Sequence, residues 1–141
     1  MAYYYHPFRT SMNQTQKPSQ QQCTDTTERP WGSFTVHGSF GTGHLKTLSV
    51  SAGGVLSLQR HGGRSEIWTL LQGDAQAVRG QTLETVESFE LELGVPFHIP
   101  VTHIHRLRSR DGGVVAEVSI GSFDEDDIER FEDIYGRDVT A

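Results

Sequence analysis

The sequence of 141 residues is short of cysteine, of long apolar runs and of positive charge. Its one cysteine, Cys23, has no partner for a disulfide, which favours a reducing compartment. No apolar run approaches the roughly 20 residues of a membrane-spanning helix, and the N-terminus lacks the pattern of a secretory signal. Twelve Lys and Arg against eighteen Asp and Glu give a formal net charge of −6, so no basic surface for a nucleic-acid backbone is expected. The composition predicts a cytoplasmic protein that binds neither nucleic acid nor membrane.

The first 27 residues differ in composition from the rest. The segment from Met12 to Thr27 is rich in Gln, Ser and Thr and nearly free of aliphatic side chains. Such a segment buries too little surface to offset the entropy of ordering it. We therefore expect a disordered arm over 1–27 and one domain over 28–141, which is long enough for a single core.

Short β-branched or alternating stretches, separated by Gly, Asp or Pro, follow one another from Trp31 onward. Alternation with a period of two is typical of strands, and the breakers mark turns. The predicted strands are 34–37, 45–50, 55–61, 66–71, 75–79, 82–86, 88–93, 105–108 and 114–120. The pattern predicts an all-β meander or jelly roll.

Only the C-terminal segment departs from this pattern. Ile128, Phe131 and Tyr135 recur at helical spacing behind an acidic start. Acidic residues favour a helix N-terminus, and the spacing places the three apolar side chains on one face. A short helix over 126–135, packed on the sheet, is the expectation.

Two separated motifs predict a metal site. Gln59 and His61 are two residues apart on a predicted strand and so share a face, and Glu66 follows on the next strand after the Gly62–Gly63 turn. His105 begins a distant strand and supplies a fourth ligand that leaves other coordination positions open, as a catalytic metal needs. Imidazole, carboxylate and amide oxygen ligands suit Zn²⁺ and also Mn²⁺, Co²⁺ or Fe²⁺.

The other histidines of the chain give no comparable signal. Most single histidines are ordinary surface or packed residues, and His6, His37 and His44 have no ligand spacing. His98 is expected on the barrel wall. His103 lies two residues before His105, so a substitute ligand and an outer contact of the site both stay open.

The two motifs resemble those of the cupin superfamily, with Gln59 where many cupins have their first histidine. Thr102 and Ser109 depart from the usual glycine and asparagine of the second motif. More narrowly, the region from Arg29 to Arg137 is similar to the cupin domain of type II phosphomannose isomerases. The runs that carry this resemblance are RPWGSF (29–34), LSLQRH (56–61), RSEIW (64–68), IP (99–100), HRL (105–107) and EDDIERFEDIYGR (125–137).

The resemblance implies a double-stranded β-helix, or jelly-roll barrel, and a function. The implied reaction is the metal-dependent interconversion of mannose 6-phosphate and fructose 6-phosphate, with a small phosphosugar as partner. Zn²⁺ is the first expectation for the metal, with Mn²⁺, Co²⁺ and Mg²⁺ as alternatives. Many family members carry a preceding nucleotidyltransferase domain that makes GDP-mannose. These 141 residues are too few to include such a domain, and they contain no glycine-rich phosphate loop.

The resemblance also implies roles for individual residues. Gln59, His61, Glu66 and His105 are the implied metal ligands. Arg64 corresponds to a family arginine associated with isomerase activity, and we assign it to substrate or transition-state charge.

Isomerisation moves a proton between neighbouring carbons, so it also needs a base and a phosphate contact. Glu117 could reach the barrel lumen and is a candidate base, beside Lys46 and a metal-activated water. Lys46 is also expected to contact phosphate or a hydroxyl. Arg106 is a candidate anion contact, with a surface salt bridge as the alternative.

Other functions stay open at this stage. Gly62 and Gly63 stand where many relatives have further histidines, which predicts a looser hairpin around Arg64. A regulatory cupin that binds a sugar phosphate or nucleotide sugar without turnover is the alternative function. An epimerase would need a His–Asp or Tyr acid–base pair, which is not evident, and the flanking runs argue against an iron dioxygenase. Open sheet edges favour a homodimer, although no residue identifies an interface.

Overall fold

A computed structural model describes residues 25–122, 124 and 126–139, and within them the chain is almost entirely β-structure. A single turn of 3₁₀-helix spans Leu83–Thr85. The eleven strands are β1 (Asp25–Arg29), β2 (Gly32–Phe40), β3 (Gly43–Val50), β4 (Leu58–Arg60), β5 (Arg64–Gly73), β6 (Gln76–Gly80), β7 (Glu87–Glu90), β8 (Pro96–Ile99), β9 (Ile104–Arg108), β10 (Gly113–Gly121) and β11 (Glu129–Glu132).

The strands form two antiparallel sheets. The larger sheet has the order β1-β2-β3-β10-β5-β8, and the smaller sheet has the order β11-β4-β9-β6-β7. Some neighbours in the sheets are consecutive in sequence, but others are distant: β10 pairs with both β3 and β5, and β9 lies between β4 and β6. This two-sheet arrangement confirms the all-β jelly-roll prediction.

The hydrophobic core contains side chains from both sheets. Trp31, Leu48 and Trp68 from the larger sheet and its loops pack with Ala77 and Leu107 from the smaller sheet, and all five are at most 5% exposed. Burial alternates along much of β3, β5 and β10, so on these strands every second side chain points away from the core. The same alternation places polar side chains between the sheets at one end, where the candidate site lies.

The predicted C-terminal helix is wrong. Its segment instead forms β11, which pairs with β4 through Glu129 opposite Arg60 and Arg130 opposite Gln59. An isolated helix of about ten residues is marginal in water, whereas β4 offers an unpaired backbone edge. Phe131 and Tyr135 are still partly buried, but they pack on two different apolar clusters.

Smaller differences follow from local chemistry. The predicted strand 82–86 is the 3₁₀ turn, in which Thr82 and Thr85 bond each other's backbone and side-chain groups and no residue is buried. Strand β8 begins at a proline, as edge strands allow, and was not predicted. Strand β1 also was not predicted: residues 25–27 of the expected arm belong to it, and 1–24 lie outside the described residues. Among the described residues, no helix has the length and apolar character needed to cross a bilayer.

Candidate metal centre

Three strands bring the predicted ligands together at one end of the barrel. Strand β4 carries Gln59 and is followed at once by His61, and β5 carries Glu66 two residues after its start. Strand β9 carries His105, which lies directly opposite Gln59 in the β4–β9 pair. A hairpin and a cross-strand partner thus place side chains that are up to 46 positions apart in one buried cluster.

The two imidazole rings are held by backbone carbonyls. His61 Nδ1 lies 2.8 Å from the carbonyl oxygen of Asp127, and His105 Nδ1 lies 2.9 Å from that of His103. A carbonyl oxygen only accepts, so Nδ1 carries the proton in both rings and Nε2 faces the cluster. Both rings are 2% exposed, and burial lowers the pKa of His105, which favours the neutral ring.

The carboxylate of Glu66 lies between the two Nε2 atoms. Its Oε1 is 3.0 Å from His61 Nε2 and its Oε2 is 3.6 Å from His105 Nε2. Burial by itself raises the pKa of Glu66, but His105, His61 and Arg64 together lower it to about 2. One ligand atom from each of the three residues fits within 4.8 Å, so an anionic oxygen and two imidazole nitrogens converge on one point.

These residues fit a divalent metal. His105 Nε2 is buried and has no hydrogen-bond partner among the described residues. Buried polar atoms are normally satisfied, and a cation at the centre of the cluster would satisfy this one. Outer carbonyls that orient ligating imidazoles, as Asp127 and His103 do here, are typical of metal sites.

The amide of Gln59 reaches the cluster with its nitrogen. Nε2 lies 3.4 Å from His61 Nε2, while Oε1 accepts a hydrogen bond from Ser57 Oγ at 2.6 Å. Coordination of a metal through Gln59 Oε1 needs a rotation of the side-chain amide by a half-circle. Ser57 is compatible with either orientation, because its hydroxyl can also accept a hydrogen bond from the amide nitrogen.

Glu117 and Lys46 line the cavity above this cluster. They lie opposite each other in the β3–β10 pair, and Glu117 is 8% exposed. Trp68 Nε1 donates to Glu117 Oε2 at 3.2 Å and to Glu66 Oε2 at 3.1 Å, so it links the two carboxylates. Burial, followed by the negative charge of Glu66, raises the pKa of Glu117 to about 7.

Arg64 directly contacts the side chains of the candidate metal ligands. Its Nη2 lies 3.2 Å from His61 Nε2, its Nε lies 3.7 Å from Glu66 Oε1, and its Nη1 donates to the carbonyl of Asp124 at 3.1 Å. The guanidinium therefore lies beside the groups that would hold the cation. It is not a free hairpin arginine on the surface.

Arg106 does not lie in the site. Its guanidinium bonds Glu132 Oε1 at 2.9 Å and the carbonyl of Leu56 at 2.8 Å, so the salt-bridge alternative describes it. Successive residues of a strand point to opposite faces, and Arg106 directly follows the inward-facing His105. His98 is exposed on β8, and His103 contributes its carbonyl to the site.

Asp127 contacts the candidate site and is not indicated by the sequence patterns. Its carboxylate accepts hydrogen bonds from the backbone of Gly62 and Gly63, both at 2.8 Å, while its carbonyl accepts from His61. A Cβ atom on Gly62 would lie 3.2 Å from this carboxylate, so the glycine permits a close approach. The glycine turn is thus held from outside the hairpin, contrary to the expectation of a looser loop.

A cavity of about 220 Å³ opens onto the cluster. Larger depressions of about 420 and 470 Å³ occur elsewhere, but neither is lined by His61, Glu66 or His105. The cavity has five basic side chains against two carboxylates, although the chain carries a net negative charge. The basic residues are Arg29, Lys46, Arg64, Arg130 and Arg137, of which Arg29, Arg130 and Arg137 were not predicted as site residues.

Comparisons with known proteins identify the family of the chain. Residues 16–133 match the family model described as mannose-6-phosphate isomerase C-terminal. The alginate biosynthesis protein AlgA of Pseudomonas syringae is 42% identical over 77% of the chain, and the xanthan biosynthesis protein XanB of Xanthomonas campestris is 37% identical over 77%. A mannose-1-phosphate guanylyltransferase, ManC, of Salmonella typhimurium is 34% identical over 77%. The chain spans only 22–23% of the length of these relatives.

Solved structures share the fold at low sequence identity. The capsular polysaccharide assembling protein CapF of Staphylococcus aureus has a TM-score of 0.68 and 15% identity over 78% of this chain and 34% of its own. Oxalate decarboxylase of Lactobacillus farciminis has a TM-score of 0.65 and 16% identity over 77% of this chain and 33% of its own. Both likenesses concern the cupin fold alone. On the match of the family model to most of its length, the chain belongs to the family of mannose-6-phosphate isomerase C-terminal domains.

Proposed function

We propose that this chain is a metal-dependent aldose–ketose isomerase that interconverts mannose 6-phosphate and fructose 6-phosphate. The observation that carries the proposal is a cavity in which the cluster of His61, Glu66 and His105 lies beside the buried Glu117 and its half-buried cross-strand neighbour Lys46. The family and the names of the relatives point to mannose phosphates as the substrate class.

The reaction removes a proton from the carbon next to the substrate carbonyl and returns it to the neighbouring carbon. We assign this transfer to Glu117, which is supported by its burial, its position in the cavity lining and its pKa, raised to about 7. Trp68 fixes one of its oxygens, and Lys46 lies opposite on β3. Lys46 can then contact a substrate hydroxyl or the oxygen on which negative charge grows.

Gln59, His61, Glu66 and His105 would hold the metal. Zn²⁺ is the first candidate, with Mn²⁺, Co²⁺ and Mg²⁺ as alternatives. When bound, a divalent cation supplies an electrophile for the oxygens of the reacting carbons. Arg64 stays beside the ligands and adds positive charge at the same place.

A coupled assay for fructose 6-phosphate tests the proposal. The purified chain is stripped with chelator, given each metal separately and supplied with mannose 6-phosphate. We expect one metal to restore turnover and Glu117→Gln to lower kcat by about 10²–10⁴-fold while metal content is kept. Arg110→Gln is the matched control, because Arg110 is exposed and lies outside the cavity. Unchanged kcat in Glu117→Gln would reject Glu117 as the base.

One observation favours a second function, binding without turnover. The guanidinium of Arg64 already contacts His61 Nε2 and lies near Glu66, so it occupies space beside the ligand atoms. A regulatory cupin that binds a sugar phosphate could keep this arrangement. Tight binding of mannose 6-phosphate with no turnover under any metal would select it over the isomerase.

Two further expectations belong to this proposal. A phosphorylated-sugar substrate favours a cytoplasmic protein, and the edges of the larger sheet in the described residues, β1 and β8, favour a homodimer. Sedimentation at several concentrations checks the second expectation. A mass of one chain at all concentrations would reject the dimer.

A further inference from the structure

The basic side chains of the cavity fall into two groups. Lys46 and Arg64 lie beside acidic groups of the reaction site, Glu117 and Glu66 respectively. Arg29, Arg130 and Arg137 come instead from the first strand and from the C-terminal segment. These three form the second group, and nothing in the isomerase chemistry described above uses them.

Arg29 ends β1 and lies at the exposed rim of the cavity. Its guanidinium carbon is 5.2 Å from the centre of the Phe34 ring, and Lys46 Nζ is 5.1 Å from the same ring. Two cations therefore share one aromatic ring. Among the described residues, no carboxylate forms a salt bridge with Arg29, so an anion bound here would relieve the repulsion between the two cations.

Arg130 reaches the cavity because of strand alternation in β11. It lies opposite Gln59 and lines the cavity, whereas its acidic neighbour Glu129 pairs with Arg60 on the outside. The register of the β4–β11 pair shifts between Arg130 and Glu132, so Glu132 lies opposite Leu58 and pairs with Arg106 outside the cavity. Glu129 and Glu132 thus point away from the cavity, whereas Arg130 lines it.

Arg137 is held in place by Asp133. The carboxylate accepts from Arg137 Nε at 2.6 Å, from Nη2 at 3.3 Å and from the backbone N–H at 2.9 Å. The Asp133 side chain is fully buried and Arg137 is one-quarter exposed, so the pair is rigid. A fixed guanidinium at a cavity wall loses little entropy when it binds a further anion.

From this arrangement we infer that Arg29, Arg130 and Arg137 form a subsite for the phosphoryl group of a monosaccharide phosphate. A phosphate monoester is a dianion that needs several charged donors, and arginine matches its geometry. In a hexose 6-phosphate the phosphate and the reacting carbons are at opposite ends, so the phosphate would contact residues of the cavity other than the candidate metal ligands. A cavity of about 220 Å³ also suits a monosaccharide better than a nucleotide sugar.

The identity of the substrate rests on the proposed function, so the test measures binding separately from turnover. Binding of mannose 6-phosphate, of unphosphorylated mannose and of inorganic phosphate is measured by calorimetry on the metal-loaded chain, beside the coupled assay. The variants are Arg29→Gln, Arg130→Gln and Arg130→Lys, with Arg110→Gln as the exposed control. Arg137 is left intact, because its removal would strand the buried carboxylate of Asp133. Thermal unfolding and metal content verify that each variant is folded and loaded.

We expect Arg29→Gln and Arg130→Gln each to weaken mannose 6-phosphate binding by about 10–100-fold, since each loses a charge-assisted hydrogen bond. KM should rise by the same factor with kcat within about threefold, and Arg130→Lys should recover part of the loss. Binding of unphosphorylated mannose should not change among the variants.

Failure of this inference differs from failure of the isomerase proposal. Phosphosugar binding that depends on Arg29 and Arg130 without any turnover keeps the subsite and removes the isomerase. Turnover with an unchanged KM in both variants overturns the subsite and keeps the isomerase. If the unaltered chain neither binds nor converts mannose 6-phosphate, both are overturned.

Discussion

Two aspartates at opposite ends of β5 and β10 make the same kind of contact, in which one carboxylate accepts hydrogen bonds from two backbone amides, but the turns that they hold differ. Asp127 accepts hydrogen bonds from the backbone of Gly62 and Gly63 beside the start of β5, and Asp74 accepts from Arg110 and Asp111 beyond its end. Backbone hydrogen bonds lower the pKa of both carboxylates. Each carboxylate thus fixes a turn by holding two consecutive amides.

The difference lies in what each turn carries. At the Asp127 end the fixed turn joins His61 to Arg64, and the carbonyl of the same aspartate orients the His61 ring. At the Asp74 end the additional partner is Ser109, whose hydroxyl donates to Asp74 and accepts from Gly112. One aspartate therefore orients a candidate metal ligand, whereas the contacts of the other lie within the turns at the far end of the sheet. The comparison predicts that their substitutions will separate metal affinity from stability.

The largest effect should come from the ligand cluster itself. Glu66→Gln keeps the shape of the side chain but removes the anionic ligand between two imidazoles. We expect metal affinity to fall by more than about 100-fold, beyond the roughly 10–100-fold range of outer contacts, and turnover to be lost. Titration against a competing chelator measures the affinity, with Asp74→Asn as the control at the far end. Equal affinity in Glu66→Gln would contradict the ligand assignment.

Asp127→Ala should have the next largest effect. It removes two turn hydrogen bonds without touching a ligand, so the hairpin loses its fixed position. Metal affinity should fall by about 10–100-fold, as for other groups that orient ligands. The same chelator titration applies. An affinity equal to that of Asp74→Asn would show that the two ends do not differ.

Asp74→Asn should change stability only. The carboxylate is partly exposed, so the loss in the free energy of unfolding should be only about 1 kcal/mol at neutral pH. Metal affinity and kcat should remain unchanged, because no ligand or cavity basic residue contacts this turn. Denaturant unfolding of the metal-free protein measures the loss. A drop in metal affinity would show that the far end also positions the site.

The smallest effect should be on how the free energy of unfolding depends on pH in acid. Hydrogen bonds from Arg110 and Asp111 lower the pKa of Asp74 in the folded state below its ordinary value of 3.8. A lowered folded pKa stabilises the fold above the unfolded pKa, and this contribution is lost as pH falls through the folded pKa. The stability gap between the unaltered chain and Asp74→Asn should therefore be constant above pH 3.8 and close below it. Unfolding curves at several pH values test this, and a gap that widens in acid would contradict it.

The sequence reveals those parts of the site that depend on local spacing. Gln59, His61 and Glu66 are within eight positions of one another, so strand alternation and one glycine turn suffice to bring them together. The resemblance to cupins adds His105. Strand alternation also indicates that Arg106 faces away from His105, so the positive charge of Arg106 is not sufficient to predict a contact with substrate.

The rest of the site depends on contacts that local patterns do not encode. Asp127 meets the Gly62 turn from 65 positions away, in a segment whose apolar spacing favoured a helix. Whether that segment becomes a strand is decided by the open edge of β4, which is a tertiary property. Arg130 and Arg137 enter the cavity only as a result of that pairing.

Strand β11 and the residues after it have a consequence for where this domain can be cut or joined. The match to the family model ends at residue 133, although Arg137 still lines the cavity. A fragment trimmed at that boundary keeps Asp133 and loses the arginine that neutralises it. A reporter or partner domain fused there would be attached to the wall of the cavity. The wall of this cavity therefore extends beyond the boundary of the family model.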